Sequence, residues 1–146
     1  MDIGRRTFFA TLLLGAAPVQ AAEVHGGTLR VNGRALRFRE AGRRNASPLL
    51  VPRLRSDADL RGLAADWRVF ALDLGRGHPA NTDSAVELLR AADMLALRRI
   101  SLLVKAAELP IAREVGRRAP GRLDRVFVET EDNPQTLRGV GPVRWT

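Results

Sequence analysis

The stretch Ile100-Ser101-Leu102-Leu103-Val104 is apolar except for Ser101, and it breaks off at Lys105 into helical spacing through Pro110, Ile111, Ala112 and Val115. An apolar run too short for a buried helix suits a strand covered on both faces. Proline favours the first turn of a helix, where its missing N–H would have no intrahelical partner. The stretch therefore reads as strand, sharp turn, then a helix from about Pro110 to Arg118. This constrains the fold strongly, because a strand buried on both sides needs parallel neighbours and helices above and below. Backbone N–H groups at such a helix start can converge on an anion or oxyanion. The junction Lys105-Ala106-Ala107-Glu108 nevertheless contains no Gly, Ser, Cys or His.

The same alternation extends in both directions. Pro48-Leu49-Leu50-Val51, Trp67 to Leu72 and Leu123 to Val128 are further strand-like apolar runs. Between the first two, Ser56 is placed to cap a short helix whose Leu60, Leu63 and Ala64 share a face. Ser84 and Glu87 have the spacing of a capping box at the head of a second helix, with Val86, Leu89 and Leu95 in its apolar stripe. Upstream, Asn32-Gly33 separates the alternating runs Thr28–Val31 and Ala35–Arg39, a strong hairpin signal. The expected fold is α/β: a mostly parallel sheet with helices on both faces and an N-terminal antiparallel hairpin. The expected organisation is a single domain over residues 23–146, with no internal repeat.

Residues 1–22 read as a targeting segment. Arg5-Arg6 precede the apolar run Phe8–Leu14, and Val19-Gln20-Ala21 has the pattern of a cleavage site. Gly4-Arg5-Arg6-Thr7-Phe8-Phe9 resembles the twin-arginine export motif, so the expectation is a periplasmic or secreted protein. The run falls short of the roughly 20 residues that a helix needs to cross a bilayer, so no stable membrane span is expected. Cleavage would remove Asp2, Arg5 and Arg6, lowering the formal charge from +8 to +7. The 24 basic residues, Lys105 being the only lysine, are scattered over strands, turns and helices; with 5% aromatics and no Tyr there is no Arg/aromatic alternation for stacking bases. Nucleic acid is therefore not an expected partner. With no cysteine there is no disulfide framework and no thiolate site.

Several segments, in order, resemble the N-terminal half of the α/β-hydrolase fold: Val31-Asn32-Gly33 through Phe38-Arg39-Glu40-Ala41-Gly42, Pro48-Leu49-Leu50-Val51, Trp67 to Leu74, Arg76-Gly77-His78 and Arg118 to Val126. The resemblance covers about Gly27 to Thr130. It implies a truncated α/β-hydrolase-like domain with pockets at the carboxyl ends of its strands. It also locates what is missing. The family's Gly-x-Ser-x-Gly elbow falls on Val104-Lys105-Ala106-Ala107-Glu108, so Ala106 stands where the nucleophile would be. Pro52-Arg53 stands where the family usually has His-Gly, and proline has no N–H for an oxyanion. The family's acid and histidine come after further strands, yet only 17 residues follow Glu129.

Three readings follow. The favoured one is an exported α/β-hydrolase-like protein without hydrolase activity, binding a small-molecule ligand or a partner at the carboxyl ends of its strands. The alternatives are a hydrolase acting on an ester or related carbonyl substrate, as the resemblance implies, and a remnant without function. No catalytic residue, metal ligand or cofactor is assigned. The pocket-mouth candidates are Pro52, Arg53, Lys105, Ala106, Ala107 and Glu108. Ser101 is expected inside the sheet, His25 and His78 in solvent or turns, and Asp73 bonded to loop N–H groups. Glu129, Glu131 and Asp132 form an acidic cluster without the ligand set of a metal site. Unpaired sheet edges would also allow a homodimer.

Overall fold

The computed structural model describes residues 23–74, 82–129 and 139–140. The chain opens with β1 (His25–Val31) and β2 (Arg34–Ala41), an antiparallel pair in register from His25 opposite Glu40 to Val31 opposite Arg34. Both turn residues are left-handed, Asn32 at φ 52° and Gly33 at φ 78°. Two positive φ angles are what a type I′ hairpin turn requires, so the Asn-Gly signal is realised.

The chain then alternates through β3 (Pro48–Val51), α1 (Asp57–Leu63), β4 (Arg68–Leu72), α2 (Thr82–Met94) and β5 (Ile100–Lys105). A 3₁₀ turn at Ala106–Glu108 leads into α3 (Leu109–Arg118), followed by β6 (Leu123–Glu129) and a two-residue β7 (Gly139–Val140). The described residues form one sheet in the order β1-β2-β4-β3-β5-β6-β7. Strands β4, β3, β5 and β6 are mutually parallel, whereas β1, β2 and β7 join through antiparallel pairs. The four apolar runs read from the sequence thus form the parallel centre of a sheet with helices on both faces.

Alternation along each strand divides the core in two. Leu50, Phe70, Leu72, Leu102, Val104 and Val126 face the layer containing α2 and α3. Leu49, Val51, Val69, Ala71, Leu103 and Phe127 face α1 with its Leu60, Leu63 and Ala64. Such double burial explains why these strands are apolar at successive positions rather than alternately. Ser56 caps α1 as expected, its hydroxyl accepting from the Asp59 N–H at 3.2 Å. Among the described residues, no helix is long and apolar enough to cross a membrane.

Three local expectations are corrected. Helix α2 starts at Thr82, so Ser84 lies inside its first turn and is buried. Glu87 accepts from the Arg34 guanidinium at 3.0 and 2.6 Å; two charge-assisted bonds from β2 hold it in place of a capping box. The buried face of α2 consists of Ala85, Leu88, Ala91 and Ala92, with Val86, Leu89 and Leu95 only half-buried. Alanines on that face allow close approach to the sheet, an effect that side-chain hydrophobicity alone ranks wrongly. The fourth strand begins at Arg68, and Trp67 just before it lies edge-on against Phe127 with ring centroids 5.4 Å apart. Strand β7 pairs antiparallel with β6 and had no apolar run to announce it.

Candidate functional site

The carboxyl ends of β3, β5 and β6 meet at one end of the sheet. Pro52 and Arg53 follow β3, Lys105 ends β5, and the parallel register sets Lys105 beside Glu129, the last residue of β6. The chain leaves β5 with Lys105 at φ −83° and ψ 163°, an ordinary extended conformation. Among the described residues, only Asn32 and Ala96 are non-glycine residues with positive φ. The turn from β5 into α3 is therefore relaxed, without the strain of a nucleophile elbow. Ala106 and Ala107 are exposed on it and contribute only methyl groups.

Charge holds this end together. The Glu108 carboxylate folds back and accepts from the Lys105 backbone N–H at 2.8 Å and from Arg53 Nη1 at 2.5 Å, both on Oε1. Arg53 Nη2 donates to Glu129. Arg55 donates to both oxygens of Glu129, at 2.7 and 3.1 Å, in the bidentate geometry that suits a guanidinium. The Arg55 side chain is 7% exposed and that of Glu129 11%, so this inner pair is largely removed from water. Burial pushes the Glu129 carboxyl up, but the Arg55 hydrogen bond and charge, with Arg53 and Lys105, outweigh it and hold the group below the usual carboxylate range. A carboxylate so stabilised in its charged form is a poor general base.

The structure thus brings together four of the six pocket-mouth candidates in a specific way. Arg53 and Glu108 are paired, Lys105 supplies a backbone donor and a nearby charge, and Pro52, next to Arg53, is buried. Ala106 and Ala107 are exposed between Lys105 and Glu108. Arg55 and Glu129 complete the network. Arg55 drew no attention in the sequence, and Glu129 only as part of an acidic cluster; its position at the end of a parallel strand next to β5 was the available signal.

The other singled-out residues lie elsewhere. Ser101 is buried at 2% exposure in the middle of β5, opposite Leu49 of β3, as expected for a sheet-interior residue. His25 is exposed on β1, 3.5 Å from Glu23. Asp73 accepts from Arg37 Nη2 at 2.9 Å; a guanidinium thus engages the carboxylate expected to bond loop N–H groups, while residues 75–81 of that loop lie outside the described residues. His78, Glu131, Asp132 and the targeting segment lie outside them too. Among the described residues, no group of His, Cys, Asp and Glu could hold a metal ion. An open hollow of about 870 Å³ lies at the opposite, amino end of β5 and β6. There Arg122 is already committed to Asp93 at 2.5 Å and to the carbonyls of Leu97 and Arg98 at 2.7 and 3.2 Å.

No family model matches the sequence, and no curated protein is similar to it. Solved structures are similar in fold. Carboxylesterase CesB (YbfK) from Bacillus subtilis superposes with a TM-score of 0.60 at 17% identity, covering 73% of this chain and 43% of the esterase. A loop variant of the haloalkane dehalogenase DbeA from Bradyrhizobium elkanii gives 0.59 at 20% identity, covering 73% and 40%. The epoxide hydrolase CorEH gives 0.58 at 17%, covering 73% and 42%. The chain therefore has an α/β-hydrolase-like fold and spans less than half the length of the structures it matches.

Proposed function

We propose that this chain is an exported α/β-hydrolase-like protein that lacks hydrolase activity and binds a small ligand at the carboxyl ends of its strands. One observation carries the reading. Where the resemblance places the family's nucleophile, this chain has the Ala106 methyl group, and the nearby Glu108 carboxylate already holds the Lys105 N–H and one arm of Arg53. Acyl transfer needs a nucleophile and unoccupied donors for the developing oxyanion. Ala106 supplies no nucleophile, and Pro52 has no N–H to offer after β3.

The purified mature protein is expected to turn over short-chain activated esters no faster than a heat-treated control, and to resist a serine-directed fluorophosphonate. Multiple turnovers abolished by Ser101→Ala would overturn the reading, since a serine buried in β5 would then have to be the nucleophile. Export is supported by Arg5-Arg6 ahead of the apolar run. Changing both arginines to lysine should retain the protein in the cytoplasm; unchanged appearance in the periplasm would reject the twin-arginine route.

A further inference from the structure

We propose that the seat now filled by the Glu108 carboxylate is a binding site for a small carboxylate ligand, which replaces Glu108 on Arg53 and on the Lys105 N–H. This rests on the non-catalytic reading of the same site and names the chemistry of its ligand. The two carboxylates on Arg53 are not equivalent. Glu129 is tied by both oxygens to Arg55 and ends a paired strand, so it belongs to the framework. Glu108 is more exposed, at 19%, and projects from a three-residue 3₁₀ turn. Rotation of its side chain alone would vacate the seat, leaving β5 and β6 in place.

The geometry also favours an untethered carboxylate. Arg53 Nη1 and the Lys105 N–H both reach Oε1 of Glu108, so a single oxygen serves two donors. A free carboxylate can give one oxygen to each, the arrangement in which charge-assisted bonds are strongest. With Glu108 turned out, the three cations Arg53, Arg55 and Lys105 face two carboxylates, Glu129 and, 3.7 Å from Arg55, Asp59, so one further anion would restore the balance. Ala106 and Ala107, next in the chain to Lys105, are exposed and carry only methyl groups. The tethered Glu108 competes at an effective concentration of order millimolar. Free carboxylate should therefore bind the native chain more weakly than a chain lacking Glu108, about tenfold where the emptied seat binds it with a Kd of about 0.1 mM.

The test is an amide NMR titration of the mature protein with sodium acetate, set against sodium chloride and inorganic phosphate at matched ionic strength. The Lys105 amide resonance reports the seat directly. In Glu108→Ala, acetate should move it saturably, at concentrations about tenfold below those needed in the native chain. Adding Arg53→Met should abolish that response, and chloride should not reproduce it. Glu108→Gln keeps an acceptor on the turn and serves if the alanine variant does not fold; it too should bind acetate more tightly than the native chain. The proposal falls if neither variant gains affinity, or if phosphate binds the seat better than acetate. Silence towards acetate without ester turnover removes only the ligand assignment, whereas turnover removes the underlying reading.

Discussion

Replacing Gly42 by alanine should be among the most damaging single-methyl changes in this chain, and the structure shows why. Gly42 leaves β2 with φ +109°, just where the chain passes β4. A Cβ there would lie 2.1 Å from the Trp67 carbonyl oxygen and 3.0 Å from the Arg68 Cα, both backbone atoms. The left-handed backbone costs an L-residue about 1–2 kcal/mol. Relieving the contact means moving the head of β4 by about 1 Å, since carbon contacts settle near 3.5 Å. That segment is tied by the Arg68 N–H to the Ser47 carbonyl at 2.9 Å, so it cannot move without weakening its pairing. Overpacking of this kind costs a further 1–3 kcal/mol or so. The expected loss is about 2–5 kcal/mol, a large part of the 5–15 kcal/mol or so that stabilises a domain, and about 6–20 °C in Tm. Gly33 provides the control. Its φ is +78°, but nothing lies within 4 Å of a Cβ, so Gly33→Ala should cost only about 1 kcal/mol. Urea denaturation followed by tryptophan fluorescence separates the two. Equal losses in both variants would refute the argument from close approach, leaving only the backbone conformation that the two glycines share.

Glu129→Gln should destabilise the fold at neutral pH by about 3 kcal/mol, because it removes the nearer, bidentate counter-charge of the nearly buried Arg55 and leaves only the more exposed Asp59 at 3.7 Å. The same variant tests the pH dependence. Since the folded state holds the Glu129 pKa below its ordinary 4.5, its contribution is fully present above that value and is lost as the pH falls further. The acid limb of a stability–pH profile should therefore be shallower in Glu129→Gln; an unchanged limb would exclude this carboxylate as its source. Ala96→Gly should raise stability by about 1 kcal/mol. Ala96 sits at φ 60° after α2, where the Leu97 N–H bonds the Ala92 carbonyl at 2.9 Å in a motif that glycine closes without strain. A fall in Tm of Ala96→Gly would show that the Ala96 methyl packs more favourably than its exposed position implies.

What could be read from the chain alone was local or periodic. Asn32-Gly33 specifies its turn because both residues accept positive φ. The runs at 48–51 and 100–104 specify doubly buried strands because no solvent-facing position interrupts them, and Ser56 marks a helix start through a bond three residues away. That Ala106 offers only a methyl group was equally legible, since its surroundings cannot give it other chemistry. Tertiary structure decided the contacts between distant segments. The bond from Arg53 to Glu108 spans 55 positions, that from Arg53 to Glu129 spans 76, and Arg34 reaches Glu87 across 53. Among two dozen basic residues and sixteen acidic ones, no local pattern states which will meet. Strand order and parallel register make that choice by carrying the ends of β3, β5 and β6 to one place, where burial strengthens the selected pairs. The same reason hid the alanine face of α2, which depends on what the other side of a packed layer presents.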